Sequence, residues 1–147
     1  MLKGIPSALS PELLKVLAEM GHGDTIVIGD ANFAAASLAK AKRNVNIRCD
    51  GQRATTVMNN ILQLMPLDDF IIKPVLIMNK AEEHKELECP VWDEFVKIVE
   101  KYDARGAAAI DFVDRFDFYD LAKEAYAIVS TTETAYYACV ILQKGTL

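Results

Sequence analysis

Cysteine and histidine are both scarce in this 147-residue chain, which holds three of the first and two of the second. Cys49, Cys89 and Cys139 are scattered, odd in number and free of C-x-x-C spacing. That excludes a framework of paired disulfides. With only His22 and His84 to join them, it also argues against a Cys/His metal site, and no metal is expected. No apolar run approaches the roughly 18–20 residues of a membrane span. Positive charge is in deficit, with 16 Lys and Arg against 21 Asp and Glu and a net charge of −5. A nucleic-acid partner wants a basic face, so none is expected. The glycine patterns that cradle phosphates are missing, and Gly21-His22-Gly23 precedes a strand rather than following one. No nucleophile elbow is present either, and no cofactor is expected. The segment from Met1 to Ser10 has a single Lys3 and no apolar core, so it does not read as a signal peptide. A reduced, cytoplasmic protein without a membrane partner is the expectation.

Hydrophobic residues make up 52% of the chain and charged residues 25%, enough to bury a core and wet a surface. No repeat, low-complexity tract or linker divides it, so residues 1–147 are read as one domain. Ser10 suits a helix N-cap, Pro11 the first helical position and Glu12 the first turn. Leu13, Leu14, Leu17 and Met20 supply an apolar stripe, and Gly21 is expected to stop the helix in left-handed conformation. Strands are expected at 25–28, 45–49, 74–78, 107–112, 127–131 and 138–143. Helices are expected at 55–65, 92–102 and 117–126. This alternation predicts an α/β domain. The last two strands lie close in sequence, which predicts an antiparallel pairing and a mixed sheet of about six strands.

Four places carry chemistry. His22, between two glycines, sits on an open turn, and histidine is the side chain that titrates nearest neutrality. The plainer reading is a surface residue of a connecting loop. Asp30 follows the strand 25–28, where ligands of open α/β sheets gather. An Asx turn would explain it equally well, as it would the nearby Asn32. Asp114 to Tyr119 sets Arg115 and Tyr119 among aromatics where a strand gives way to a helix. Such a mixture suits the apolar faces and polar edges of sugars, although Phe116 and Phe118 read more simply as core. Tyr136 and Tyr137 open the last expected strand, so only one of them should face a given pocket. Cys139 has no basic neighbour and reads as a small buried hydrophobe.

The run from Leu9 to Asp24, with its Met20-Gly21-His22-Gly23-Asp24, resembles the opening of the RbsD/FucU family of sugar mutarotases. The likeness continues through Asp30, Ile47 to Gly51, Met65 to Asp68, Arg115 to Tyr119 and the stretch from Tyr137 to Gly145. It is weakest between Asn79 and Ala109. Pro90-Val91-Trp92 resembles the longer, fucose-acting branch found in animals.

The resemblance implies a three-layer α/β/α fold and a homo-oligomeric ring, commonly a decamer, with sites near subunit contacts. It implies a cofactor-free isomerase that interconverts the anomers of L-fucose. His22 matches the proton donor, and Asp30, Arg115, Tyr119 and Tyr137 match sugar-contacting positions. Asp68 and Met78 match weaker contacts. In this scheme His22 protonates the ring oxygen, and Tyr137, Tyr119 or a water relays the other proton. Asp30 and Arg115 hold the hydroxyls. Two departures stand out. Cys139 replaces an asparagine usual in the family, and Asn32-Phe33-Ala34 stands where many bacterial members have His-Phe-Pro. Loss of the asparagine amide keeps two alternatives open: interconversion of D-ribose ring forms, or a non-catalytic sugar-binding ring.

Overall fold

The computed structural model describes residues 2–42 and 44–147; Met1 and Arg43, both within the expected domain 1–147, lie outside the described residues. Helix α1 spans Pro11–Glu19, with the Ser10 hydroxyl accepting from the Leu13 N–H at 3.1 Å as expected of an N-cap. Its end differs from expectation. Met20 leaves the helix in extended conformation, and Gly21 has ordinary backbone angles. The left-handed residue is Gly23, at φ 86°. The carbonyl of Leu17, orphaned at the helix end, accepts from the Lys144 ammonium at 2.8 Å.

Among the described residues six strands follow: β1 Thr25–Gly29, β2 Val45–Cys49, β3 Val75–Met78, β4 Ile110–Val113, β5 Ala127–Thr131 and β6 Val140–Gln143. Between them lie α2 Ala35–Lys42, α3 Ala54–Leu62, α4 Pro90–Tyr102 and α5 Arg115–Lys123. The strands form one sheet in the order β2-β5-β1-β6-β3-β4. The sheet is mixed, as expected, but through different partners. Strands β5 and β6 do not pair; β1 lies between them, and β6 runs antiparallel to both β1 and β3. Nearness in sequence was the wrong guide, because the loop from Thr132 to Cys139 carries the chain past β1.

Strand β1 is buried on both faces. Ile26 and Ile28 pack with Leu13, Val57 and Phe95 beneath α1, α3 and α4. Val27 packs with Leu38, Phe118 and Ala122 beneath α2 and α5. The architecture is therefore three-layered, helices on sheet on helices. Helix α2 had not been expected. Its Ala-rich sequence favours a helix, but only Ala35, Leu38 and Ala39 are buried, too small a stripe to announce itself. The strand expected to begin at Ala107 starts at Ile110, after a 3₁₀ turn Gly106–Ala109. Helix α5 begins two residues before expectation because the Asp114 side chain accepts from the Phe116 N–H and caps it there. Phe118 is core, whereas Phe116 is 71% exposed.

Candidate functional site

The antiparallel course of β6 decides where the chemistry gathers. Val140 opens β6 opposite Ile28 of β1 and Ile77 of β3. The residues just before β6 therefore lie beside the carboxyl ends of the parallel strands. Asp30 follows β1, Met78 ends β3, Arg115 opens α5 after β4, and Tyr137 and Cys139 precede β6. These five, with Tyr119 from the next turn of α5, line one open cleft of about 270 Å³. That lies near the lower bound of small-molecule pockets, roughly 300 Å³, and matches a ligand of monosaccharide size.

Aromatic rings form one wall. Phe33 stacks on Tyr119 with centroids 5.1 Å apart and packs edge-on against Phe118 at 5.8 Å. Gly29 makes room for this ring, since a Cβ there would stand 2.7 Å from Phe33. Asp30 forms the Asx turn considered for it, its Oδ1 accepting from the Asn32 N–H at 2.9 Å, and it still lines the cleft. The two readings coexist. Burial pushes the Asp30 carboxyl above the usual carboxylate range, although donors such as the Asn32 N–H and the Cys139 thiol pull it back. Burial and the adjacent Asp30 push the Cys139 thiol well up, so it remains a thiol and not a nucleophile. Burial likewise raises Tyr119, keeping its hydroxyl protonated.

Tyr137 is the one described non-glycine residue with positive φ, at 56°. Such a conformation costs about 1–3 kcal/mol and persists where its surroundings over-determine it. Here the Trp92 indole N–H donates to the Tyr137 carbonyl at 3.0 Å, and the buried Glu133 accepts from the Ala135 N–H at 3.1 Å. Glu133 is itself held by Arg53 at 3.1 Å. The expectation that Tyr136 and Tyr137 face opposite ways fails for this reason. They belong to a turn, not a strand, and both line the cleft.

His22 and Asp68 form a second cluster at the opposite end of the strands. His22 Nε2 lies 3.1 Å from Asp68 Oδ1, and the His22 ring sits 4.8 Å from that of Phe70. Asp68 is 2% exposed and also accepts from the Phe70 N–H and the Gln143 amide, each at 2.9 Å. Burial pushes this carboxyl up, but the hydrogen bonds from Phe70, His22 and Gln143 outweigh it and hold it below the usual range. His22 precedes β1 and Asp30 follows it, so the clusters stand roughly 20 Å apart at the rise of a strand. Six of the eight residues singled out from sequence thus share a cleft, while His22 and Asp68 lie elsewhere in the same chain.

His84 also lines the cleft and was not anticipated as a site residue. Its Nδ1 lies 2.6 Å from the Tyr137 hydroxyl, 53 residues away in sequence. No local pattern marks it, and it falls where the family likeness is weakest.

A three-layer mixed sheet whose strand ends hold a small, aromatic-walled cleft with a few polar groups, Asp30 and Arg115 among them, defines a protein built for a compact polyhydroxylated ligand. Residues 3–147 match the RbsD / FucU transport protein family, and the chain belongs to it. It is 43% identical to human fucose mutarotase, covering 99% of this chain and 94% of that one. Among solved structures, FucU from Bifidobacterium longum superposes with a TM-score of 0.95 at 43% identity, covering 99% of both chains. The fucose mutarotase of Streptococcus pneumoniae in complex with L-fucose follows at 0.91 and 42%, again covering 99% of both.

Proposed function

We propose that this protein is an L-fucose mutarotase, an isomerase that interconverts the α and β anomers by opening and reclosing the sugar ring. The convergence of Asp30, Arg115, Tyr119 and Tyr137 on one monosaccharide-sized cleft carries this reading. The human relative and the fucose-bound neighbour favour fucose as the sugar. Asp30 accepts hydrogen bonds from sugar hydroxyls, Arg115 donates to them, and the stacked Phe33–Tyr119 pair offers an apolar wall to the C–H face. Cys139 and Met78 floor the site without charge.

Ring opening moves a proton off the anomeric hydroxyl and another onto the ring oxygen, chemistry that acid–base groups perform unaided. Tyr137 serves the anomeric hydroxyl. His22 protonates the ring oxygen, and its distance from the cleft means that it comes from a second copy of the chain. Phe70, against the His22 ring, and Ile72, two residues further on, are 74% and 78% exposed, apolar surface suited to be covered by that copy. Asp68, bonded to His22, holds the ring at the contact. Residues 1–147 act as one domain, and the active form is a homo-oligomer, with a ring of ten as the family likeness implies. The unpaired thiols of Cys49, Cys89 and Cys139 favour the cytoplasm.

The test is saturation-transfer NMR on L-fucose at anomeric equilibrium. Irradiation of one anomeric proton should deplete the other only in the presence of protein. Transfer with D-ribose but not with fucose would move the reading to ribose ring forms, and no transfer with either would leave a sugar-binding protein.

A further inference from the structure

His84 stands in the wall of the cleft with its Nδ1 2.6 Å from the Tyr137 hydroxyl. The same phenolic oxygen accepts from the Ala81 N–H at 3.2 Å. With that N–H aimed at the oxygen, the phenolic proton is free to be donated, and His84 Nδ1, in the tautomer that carries its proton on Nε2, is the acceptor in reach.

The segment around His84 is braced to keep it there. The His84 N–H donates to the Ala81 carbonyl at 2.9 Å, closing the 3₁₀ turn Glu82–His84. The Lys80 ammonium donates to the carbonyls of Lys85 and Leu87, both at 2.9 Å. The far side of the pair is fixed too, because Trp92 holds the Tyr137 carbonyl. A hydroxyl with one donor already on it, a nitrogen base beside it and both backbones pinned is the arrangement of a proton relay.

We propose that His84 is the positioning and relay residue behind Tyr137, taking up through the tyrosine hydroxyl the proton that leaves the anomeric oxygen. The inference rests on the mutarotase reading above and names the final acceptor in it. On opening, the anomeric O–H bond breaks and its proton passes to the Tyr137 oxygen, while the phenolic proton moves to His84 Nδ1. The O–H electron pair forms the second bond of the C1 carbonyl, the C1–O5 pair leaves to the ring oxygen, and that oxygen takes a proton from His22 of a second copy. On closure every transfer runs backwards, so neither histidine is consumed and no co-reactant is needed. His84 is exposed, so the relay also meets water.

Three forms of the full-length protein test it: His84→Ala, His84→Asn and His84→Ala with free imidazole. His84→Ala should slow anomeric exchange of L-fucose by at least about tenfold while its Kd for L-fucose stays within about twofold. Imidazole should restore part of the lost rate. His84→Asn, which keeps an acceptor near the Nδ1 position but takes up no proton, should stay slow. Exchange by His84→Ala within twofold of wild type would overturn the relay. So would a wild-type rate in His84→Asn, since an acceptor alone would then suffice. Parallel loss of rate and affinity without imidazole rescue would overturn it in favour of a structural role. A wild-type protein that binds L-fucose without exchanging it would overturn the mutarotase reading and the relay together, whereas the other failures leave mutarotation standing.

Discussion

His22 Nε2 lies 3.1 Å from Oδ1 of Asp68, whose carboxylate is buried while the histidine side chain is 42% exposed. The aspartate is thus the fixed member of the pair and the histidine the member on offer. Asp68 is held below the usual carboxylate range in the folded protein, so its ionised form favours folding. That contribution is complete above the ordinary value of 3.8 and disappears as pH falls through the lower folded value. Asp103, held down by Arg105, acts in the same direction. Asp68→Asn should therefore unfold more readily than wild type at neutral pH, and the difference should shrink as urea titrations are taken below pH 4. Its exchange rate on L-fucose should fall as well, because His22 loses its anchor.

His22→Ala should lower exchange by about 10²–10⁴-fold with the fold intact. Because His22 and Asp30 sit at opposite ends of the central strand β1, two inactive variants should complement each other. Subunits of His22→Ala and Asp30→Asn, exchanged into mixed oligomers, should regain part of the wild-type rate. Activity that stays absent after verified subunit exchange would mean that the site is not shared between copies.

Asp30→Asn should be more stable yet far less active. Burial raises the Asp30 carboxyl, so its ionised form weighs against folding at neutral pH. The penalty grows as pH rises from 3.8 through the folded value and is absent below 3.8, where both states are protonated. Asparagine keeps the Asx turn to Asn32 without the charge. Thermal melts should show Tm raised by a few degrees at pH 7 and the gain lost near pH 3. Exchange should drop by about 10²-fold or more.

Trp92→Phe removes the indole N–H that holds the carbonyl of the strained Tyr137. The loss should cost about 1–3 kcal/mol in urea unfolding, the range for a partner left unsatisfied. Exchange should fall with little change in overall secondary structure, since Tyr137 would no longer be over-determined.

Two glycines, one before β1 and one at its end, should respond differently to alanine. At Gly29 the new Cβ would stand 2.7 Å from Phe33, an overpacking that should cost about 1–3 kcal/mol and displace the aromatic wall, weakening fucose binding. At Gly21 the nearest neighbour would be Asp24 Oδ2 at 3.7 Å and φ is ordinary, so the change should be nearly neutral. Chemical denaturation and a fucose titration of both variants decide this.

Local patterns in the sequence were enough to place most elements. Ser10-Pro11-Glu12 starts α1 through a side-chain cap, and the β-branched run at Thr25–Gly29 and the alternation at Val45–Cys49 form strands where expected, because these are short-range effects of capping and periodicity. Residue chemistry and family likeness also marked Asp30, Arg115, Tyr119 and Tyr137 before any fold was known. Helix α2 escaped because small alanines bury little and leave no strong period. What only the tertiary structure decided was adjacency. It ran β6 antiparallel between β1 and β3, which sets Tyr137 against Asp30, and it turned Tyr137 into a left-handed conformation within reach of His84. These are contacts between residues tens of positions apart, fixed by strand order and packing, and no window of sequence contains them.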